Sequence, residues 1–282
     1  MRDNSDLVNQ LINLAISEDI GDGDHSSLSC IPPEAIGRAK LLVKQDGIIA
    51  GIEVAKQIFY AIDPAFIIDQ KLNDGDAVKV GDIAFYVEGK TRQLLQAERL
   101  VLNVMQRMSG IATQTSIYAQ KLEGLKTKVL DTRKTTPGMR VFDKMAVKIG
   151  GGENHRMGLY DMIMLKDNHI DFAGGITAAI KKAQAYLNET GRDLKIEVET
   201  RNLDEIKEVL SVGGVHRIML DNFSIEQTRE AVLLIANRCE VESSGGITLD
   251  TLRNYAECGV DFISVGALTH QIKSLDLSLK AI

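Results

Sequence analysis

Short apolar segments that end in polar residues or glycine recur at a regular spacing in the second half of the chain. The series includes LKIEVE, HRIMLD, CEVES and DFISVG, which have the composition of buried β-strands and are each followed by a helical pattern. Their ends fall near Glu199, Asp221, Ser244 and Gly266, at intervals of 22, 23 and 22 residues. This spacing leaves room for one strand, one helix and two short loops, so it predicts a parallel α/β barrel.

Two earlier segments extend this series. KVLDT ends near Asp131, and MIMLK ends at Lys166. In parallel α/β barrels the active site is assembled from the carboxyl ends of the strands, and phosphate is often held by the loops after the last strands. The predicted strand ends are therefore where a site is expected.

The first 120 residues have a different pattern, typical of a mixed α/β domain. Leucines at helical spacing predict a helix around residues 7–15, and IEVAKQIFYAI predicts a second one. The segments GRAKLLVKQDGIIAG and DAVKVGDIAFYVEG are typical of strands joined by glycine turns. A long amphipathic helix is predicted from Thr91 through Lys121, and Gly110 is a point at which it could break.

Composition narrows the class of protein further. The chain is 44% apolar and 26% charged, as is ordinary for a globular enzyme, and its net charge of −6 does not favour nucleic-acid binding. No run approaches the roughly 18 apolar residues needed to cross a bilayer, and the N-terminus resembles neither a signal nor a transit peptide. A cytoplasmic location without membrane contact is therefore expected. Three cysteines without metal-ligand spacing predict reduced structural thiols.

Positive charge is concentrated between Asp131 and Lys166. This stretch carries seven Lys and Arg residues against four Asp and Glu residues, in a chain that is acidic as a whole. A local cationic excess of this kind predicts a site for a small polyanion. The candidate cations, together with a histidine that follows three glycines, are Arg133, Lys134, His155, Arg156 and Lys166.

Acidic residues and glycine turns complete the candidate site. Glu199 and Asp221 end successive strands, where they suit Mg²⁺ held through water or substrate oxygens, the hydroxyls of a ribose, or structural pairing with the cations. Ser244-Gly245-Gly246 and the turn at Gly266 each precede a helical pattern, so their backbone N–H groups can bind one phosphate. The remaining histidines lack the spacing of a zinc site, and no Rossmann or P-loop motif is present.

Motifs along nearly the whole chain resemble the quinolinate phosphoribosyltransferase family, also called nicotinate-nucleotide pyrophosphorylase (carboxylating). The central motifs are DTRKTTPG, GGGENHRMGLYD, IMLKDNH, IEVE, IMLDNF, ESSGGI and SVGALTH, and SEDIGDGDHSS, QAERLVLN and KSLDLSL lie outside them. One departure is serine at Ser26 and Ser27, where a threonine is expected; it concerns a structural turn.

The resemblance implies an N-terminal α/β sandwich domain and an open, TIM-like barrel of fewer than eight strands. The implied boundaries are residues 1–110, joined by 270–282, for the first domain and 111–269 for the barrel. It also implies a homodimer in which Arg99 of one subunit reaches the barrel mouth of the other. The dimer could belong to a higher oligomer.

The implied reaction joins quinolinate to 5-phosphoribosyl-1-pyrophosphate (PRPP) with loss of CO₂, and Mg²⁺ is the implied cofactor. Lys134, Lys166, Glu199 and Asp221 are the implied catalytic residues, and Glu199 and Asp221 would hold Mg²⁺. The implied substrate-binding residues are Arg99, Thr132, Arg133, Lys134, His155, Arg156, Lys166, Glu199, Asp221, Ser244, Gly245, Gly246 and Gly266.

Three alternatives stay open at this point. A related phosphoribosyltransferase could act on another anionic ring. Lys166 could form a Schiff base in an aldolase. The chain could also be a phosphate-sugar sensor that binds its ligand without turnover.

Overall fold

A computed structural model describes residues 4–282, with the side chain of residue 4 left aside. These residues form two compact units. The first comprises the described residues up to Ser116, together with Thr135–Gly151 and Leu268–Ile282. The second comprises Ile117–Lys134 and Gly152–Ala267.

The first unit combines helices with short antiparallel sheets. In chain order its elements are α1 (Asn4–Ile20), α2 (His25–Cys30), β1 (Ile36–Val43), β2 (Gly47–Ile48), α3 (Ile52–Ile62), β3 (Ile67–Gln70), β4 (Ala77–Val78), β5 (Ile83–Lys90) and α4 (Thr91–Lys121), whose last turn belongs to the second unit. After β6 (Lys128–Leu130) of the second unit, α5 (Arg140–Ile149) returns to the first.

The main sheet of this unit has the order β12-β1-β5-β3, in which β12 (Leu277–Ala281) is the last strand of the chain. All neighbours are antiparallel, and β12 pairs with β1 from Ala39 opposite Ala281 to Val43 opposite Leu277. Buried residues of β1 alternate with half-buried ones from Ala39 to Val43, which is the pattern of a sheet with one buried face. Phe59 of α3 packs edge-to-face against Phe85 on that face.

Helix α4 is continuous over 31 residues from Thr91 to Lys121, which confirms the predicted helix, and Gly110 does not break it. A Cβ at Gly110 would lie 2.3 Å from the backbone oxygen of Lys273, which shows that the glycine serves close packing against the C-terminal segment. The helix α4 also carries Arg107, whose guanidinium makes a two-point contact with the buried carboxylate of Asp143 on α5, at 2.7 and 2.8 Å.

The second unit alternates strands and helices, as the sequence predicted. Its remaining elements are β7 (Ile163–Leu165), α6 (Asp167–Ala173), α7 (Ile176–Thr190), β8 (Ile196–Thr200), α8 (Leu203–Val212), β9 (Arg217–Asp221), α9 (Ile225–Ile235), β10 (Glu240–Ser244), α10 (Leu252–Ala256), β11 (Phe262–Ser264) and the start of α11 (Ala267–His270). The six strands form one parallel sheet in the order β6-β11-β10-β9-β8-β7.

The sheet is curled into an open barrel of six strands. His155 follows Glu153, which bridges to Leu130 at the edge strand β6. In a flat sheet β6 and β8 would be about 19 Å apart, because neighbouring strands are about 4.8 Å apart. Instead, Nε2 of His155 lies 3.1 Å from the Glu197 carboxylate on β8. Only curvature brings these strands together, so the expected barrel of fewer than eight strands is confirmed.

None of the described helices is both long and apolar enough to cross a membrane. The long helix α4 is amphipathic and buries most of its apolar residues, whereas Leu95 and Ile117 are exposed.

Candidate active site

The polar residues predicted as site residues lie at one edge of the parallel sheet. Thr132 follows β6 and Lys166 follows β7, whereas Glu199, Asp221 and Ser244 lie in the last two positions of β8, β9 and β10. Gly266 comes two residues after the end of β11. Because all six strands are parallel, their carboxyl ends meet at the same rim of the barrel.

Lys166 and Glu199 form an ion pair between neighbouring strands. The Nζ atom of Lys166 lies 3.1 Å from Oε2 of Glu199, and the glutamate is largely buried while the lysine is half exposed. Lys166 is also held through its backbone, whose N–H donates to Nδ1 of His169 at 3.1 Å. His169 therefore contacts the backbone of Lys166.

Arg156 is a buried cation close to a second cation. Its backbone follows His155, whose own N–H donates to Oδ1 of Asp131 at 2.9 Å. Burial, and then the charge of Arg133, lower the pKa of Arg156 from its ordinary value. The charge of Glu197 acts in the opposite direction. Two guanidiniums in this arrangement favour an anion between them, since an anionic ligand would relieve both the desolvation and the repulsion.

The loop that follows Arg156 is fixed by one carboxylate. Asp161 accepts hydrogen bonds from the backbone N–H groups of Met157 and Gly158, at 2.7 and 2.9 Å. The guanidinium of Arg156 donates to the carbonyl oxygen of Met162 at 3.3 Å. The backbone around Arg156 is thus held from both sides.

Lys134 and Arg133 lie on the exposed part of the rim. The Lys134 backbone N–H donates to Oγ1 of Thr132 at 3.0 Å, in a local turn that follows β6. Arg99, the cation predicted to act across a dimer interface, lies exposed on α4 in the first unit.

The two acids retain oxygen atoms for a ligand. Oδ2 of Asp221 accepts from the side-chain amide of Asn222 at 2.8 Å, and Oε2 of Glu199 faces Lys166. A carboxylate has two oxygens and about four lone pairs, so one contact leaves capacity for a hydroxyl or a cation. This donor set fits Mg²⁺ held partly through water or substrate oxygens.

The turn after β10 requires a glycine at position 245. Gly245 has φ of +95°, and a Cβ there would lie 2.2 Å from Oδ1 of Asn222. The adjacent backbone is tied to the neighbouring strand, because Asn222 N–H donates to the Ser244 oxygen at 2.9 Å. The Ser244 hydroxyl accepts from that of Ser264 at 3.0 Å. These contacts order the backbone that was predicted to bind phosphate.

A buried charged cluster inside the barrel was missed by the sequence analysis. It consists of His155, Glu197, Arg217 and Glu242, all less than a tenth exposed. Nη1 of Arg217 lies 3.0 Å from Glu242, and its guanidinium stacks on the Phe262 ring at 4.1 Å.

Burial raises the pKa of both acids of this cluster. For Glu242, burial and then the charge of Glu197 raise the pKa to about 7. For Glu197, burial also raises the pKa to about 7, against the opposing charges of Arg217 and Arg156. One feature of the sequence could have revealed this cluster. Glu197 lies two residues before Glu199 and therefore shares the inward face of β8 with it, which places a charged side chain inside the barrel.

The fold and the rim define a class of protein: an α/β-barrel enzyme with cations, acids and glycine turns at the carboxyl ends of its strands. The comparison with family models is specific. The model described as "Quinolinate phosphoribosyl transferase, C-terminal domain" matches residues 111–280, and that of the N-terminal domain matches residues 24–109. The chain belongs to the quinolinate phosphoribosyltransferase family.

Individual relatives agree with this family. The chain is 46% identical to "Quinolinate phosphoribosyltransferase [decarboxylating] 1b" from Nicotiana tabacum, over 96% of this chain and 81% of that protein. It is 41% identical to the "Probable nicotinate-nucleotide pyrophosphorylase [carboxylating]" of Bacillus subtilis (strain 168), over 96% and 92% of the two chains. The crystal structure of NadC from Streptococcus pyogenes superposes with a TM-score of 0.91, at 38% identity and over 98% and 97% of the two chains.

Proposed function

We propose that this chain transfers the phosphoribosyl group of PRPP to quinolinate, releasing pyrophosphate and CO₂ and forming nicotinate mononucleotide. This is a step of de novo NAD biosynthesis. The observation that carries the proposal is the buried Arg156 next to Arg133, at the rim that also holds Lys166. Quinolinate has two adjacent carboxylates, and planar guanidiniums match carboxylates with two parallel hydrogen bonds.

The other rim residues would each bind a different part of PRPP. Lys134 would bind the pyrophosphate, and Glu199 and Asp221 would bind the ribose hydroxyls and hold Mg²⁺. Ser244, Gly245, Gly246 and Gly266 would bind the 5-phosphate through backbone N–H groups. When bound, Mg²⁺ supplies positive charge for the departing pyrophosphate. The support for this division is the position of each residue at one rim and the ordered turn at Gly245.

Ribosyl transfer develops positive charge at C1 of the ribose, so the residues catalyse mainly by orienting the pyridine nitrogen and by stabilising the leaving group. Once ribosylated, the ring nitrogen is cationic. The C2–carboxylate bond then breaks, CO₂ leaves, and the electron pair remains at C2 beside the positive nitrogen. A proton from water or a protein acid completes the product. Decarboxylation thus needs no separate cofactor.

Lys166 is assigned to charge stabilisation. A Schiff-base lysine must present its Nζ to a substrate carbonyl, whereas the Nζ of Lys166 is held in an ion pair with Glu199. The aldolase alternative therefore has less support than phosphoribosyl transfer.

The decisive assay measures pyrophosphate release with Mg²⁺, PRPP and quinolinate, and with each substrate omitted. Release is expected only when both substrates are present. Nicotinic acid is the control substrate because it lacks the 2-carboxylate. Comparable turnover with nicotinic acid would contradict the dicarboxylate assignment, and binding without any release would favour a sensor.

A shared active site is part of the proposal. We infer that Arg99, exposed on α4, binds substrate in the partner subunit of a homodimer. An Arg99→Ala protein should be folded and inactive, and so should a Lys166→Ala protein. Mixing the two should restore partial activity, because heterodimers contain one intact site. Failure of mixing, with subunit exchange verified, would place Arg99 outside the site. A cytoplasmic location stays a proposal, which cell fractionation would test.

A further inference from the structure

The interior of the barrel contains charges where such barrels usually contain branched apolar residues. Glu197 on β8 and Glu242 on β10 come from alternate strands and are both fully buried. Burying two carboxylates costs several kcal/mol unless they are well paired. Fixing the geometry of a neighbouring group would explain why so costly an arrangement is present.

The group they contact is the His155 imidazole. Its Nε2 lies 3.1 Å from Oε2 of Glu197 and 3.5 Å from Oε2 of Glu242. Its Nδ1 accepts the backbone N–H of Arg156 at 2.7 Å, so the hydrogen on the neutral ring lies on Nε2, the ring atom nearest to the two carboxylates. The Arg156 N–H therefore sets the tautomer, and the negative charge of the carboxylates favours the ring rotation that keeps Nε2 beside them.

Arg156 is coupled to this ring through its own peptide. The ring accepts the Arg156 backbone N–H, and the His155 N–H is held by Asp131. A rotated imidazole would leave the buried N–H of Arg156 without its acceptor. The direction of the Arg156 guanidinium at the rim thus depends on the acids beneath it.

Arg217 holds Glu242 in place. Its Nη1 donates to Oε2 of Glu242 at 3.0 Å, while Nε and Nη2 donate to Oε2 of Glu240 at 3.1 and 3.0 Å. The side chains of His155, Glu197 and Glu242 could also surround a metal ion, since their ligand atoms lie within 4.8 Å of one another. The guanidinium of Arg217 already supplies positive charge at this place, which favours the orienting role.

We propose that Glu242, together with Glu197, is a positioning residue that fixes His155 and through it aims Arg156 at a carboxylate of quinolinate. This inference rests on the proposed function. It predicts that a change inside the barrel impairs quinolinate binding selectively, although neither acid is exposed to the ligand space.

The test compares steady-state kinetics of the wild-type protein and Glu242→Gln. Glutamine keeps the volume but has one acceptor oxygen for both Arg217 and His155. We expect the KM for quinolinate to rise tenfold or more and the KM for PRPP to change less than twofold. Glu257→Gln is the control, because it breaks an exposed ion pair with Arg253 outside the barrel, and both constants should stay within twofold.

A double-mutant cycle separates positioning from a structural effect. In an Arg156→Lys background, Glu242→Gln should change the quinolinate KM less than threefold, since the group that it positions is already altered. A second full tenfold rise would overturn the proposal. So would an equal rise of both KM values or a fall in active-site concentration with unchanged KM.

Two further measurements complete the design. If Glu242→Gln fails to fold, as judged by thermal melting, Glu197→Gln removes the other carboxylate contact of His155 and should show the same selective rise. Absence of turnover by the wild-type protein would refute the proposed function and this inference with it. A normal wild-type protein with an unchanged quinolinate KM in the folded variant would refute the positioning role alone.

Discussion

The Nζ atom of Lys166 lies 3.1 Å from Oε2 of Glu199, which joins the ends of β7 and β8 by an ion pair at the rim. Replacing the lysine with methionine removes a cation from the proposed transition-state environment. We expect kcat/KM to fall on the order of 100-fold or more. Because the largely buried Glu199 loses its ion-pair partner, we also expect a loss of stability, which is smaller than for a fully buried pair since Lys166 is half exposed.

Kinetics and thermal melting of Lys166→Met measure both effects. Lys195→Met is the matched control, since Lys195 precedes β8 and pairs with Glu240 at 3.6 Å. It should keep wild-type activity. A Lys166→Met protein with more than a third of the wild-type kcat/KM would contradict the assigned role.

The glycine turn after β10 makes a prediction about stability. A methyl group at Gly245 would meet Oδ1 of Asn222 at 2.2 Å, at a backbone φ of +95°. Gly245→Ala should therefore lower the free energy of unfolding by about 1–3 kcal/mol and weaken PRPP binding. Gly191→Ala is the control, because Gly191 also has positive φ but no neighbour within 4 Å. Equal losses in the two variants, measured by urea denaturation, would argue against the steric explanation.

The buried Glu242 predicts a pH dependence of stability. Its pKa is raised from 4.5 to about 7, so the folded state holds the proton more tightly than the unfolded state. The stability that this group contributes is complete below pH 4.5 and is lost as the pH rises through about 7. The loss is on the order of 3 kcal/mol over this range.

This dependence is measured by urea denaturation at pH 5, 6, 7 and 8. The free energy of unfolding of Glu242→Gln should increase relative to that of the wild type as the pH rises, because only the wild type loses this contribution to stability. A difference that is constant across these pH values would show that Glu242 does not titrate in this range.

The ion pair of Arg107 and Asp143 predicts strong coupling between α4 and α5. Asp143 is fully buried, and burial raises its pKa above the ordinary value in spite of the arginine. Arg107→Met should cost about 3 kcal/mol, because it leaves this carboxylate without its partner. The double variant Arg107→Met/Asp143→Leu should recover most of the loss. Purely additive losses in the free energy of unfolding would contradict the coupling.

The sequence alone was sufficient to predict the strands of the barrel and the edge of the sheet at which the rim residues lie. Regular spacing locates a strand, and parallel strands place their ends together, so Lys166 and Glu199 could be grouped before any distance was known. The boundaries at residues 110 and 269 stay predictions. Gly110, named as a possible break, leaves α4 intact because a glycine within a helix can also serve close packing, and the Lys273 backbone that requires it is distant in the sequence.

Glu197 and Glu242 could not be paired from the sequence. They are separated in the sequence by α8, β9 and α9, and they lie on β8 and β10, which flank β9 in the sheet. The curl of the sheet brings His155, from beside the edge strand β6, against both of them. The curl of the sheet thus explains the position of His155, which the sequence predicted only as a substrate-binding residue. The structure directs its ring toward the interior acids.

The pairing of β12 with β1 determines when the sheet of the first unit can be completed during synthesis. Ala39 pairs with Ala281, so the sheet that begins the chain lacks one of its strands until residues 277–281 have been synthesised. Contacts between residues so distant along the chain form slowly, since a long loop must close first. During translation the barrel can assemble while the earlier sheet still exposes the edge of β1. The sheet of the first unit is thus completed only after the barrel segments have been synthesised, and until then the edge of β1 can pair with other strands.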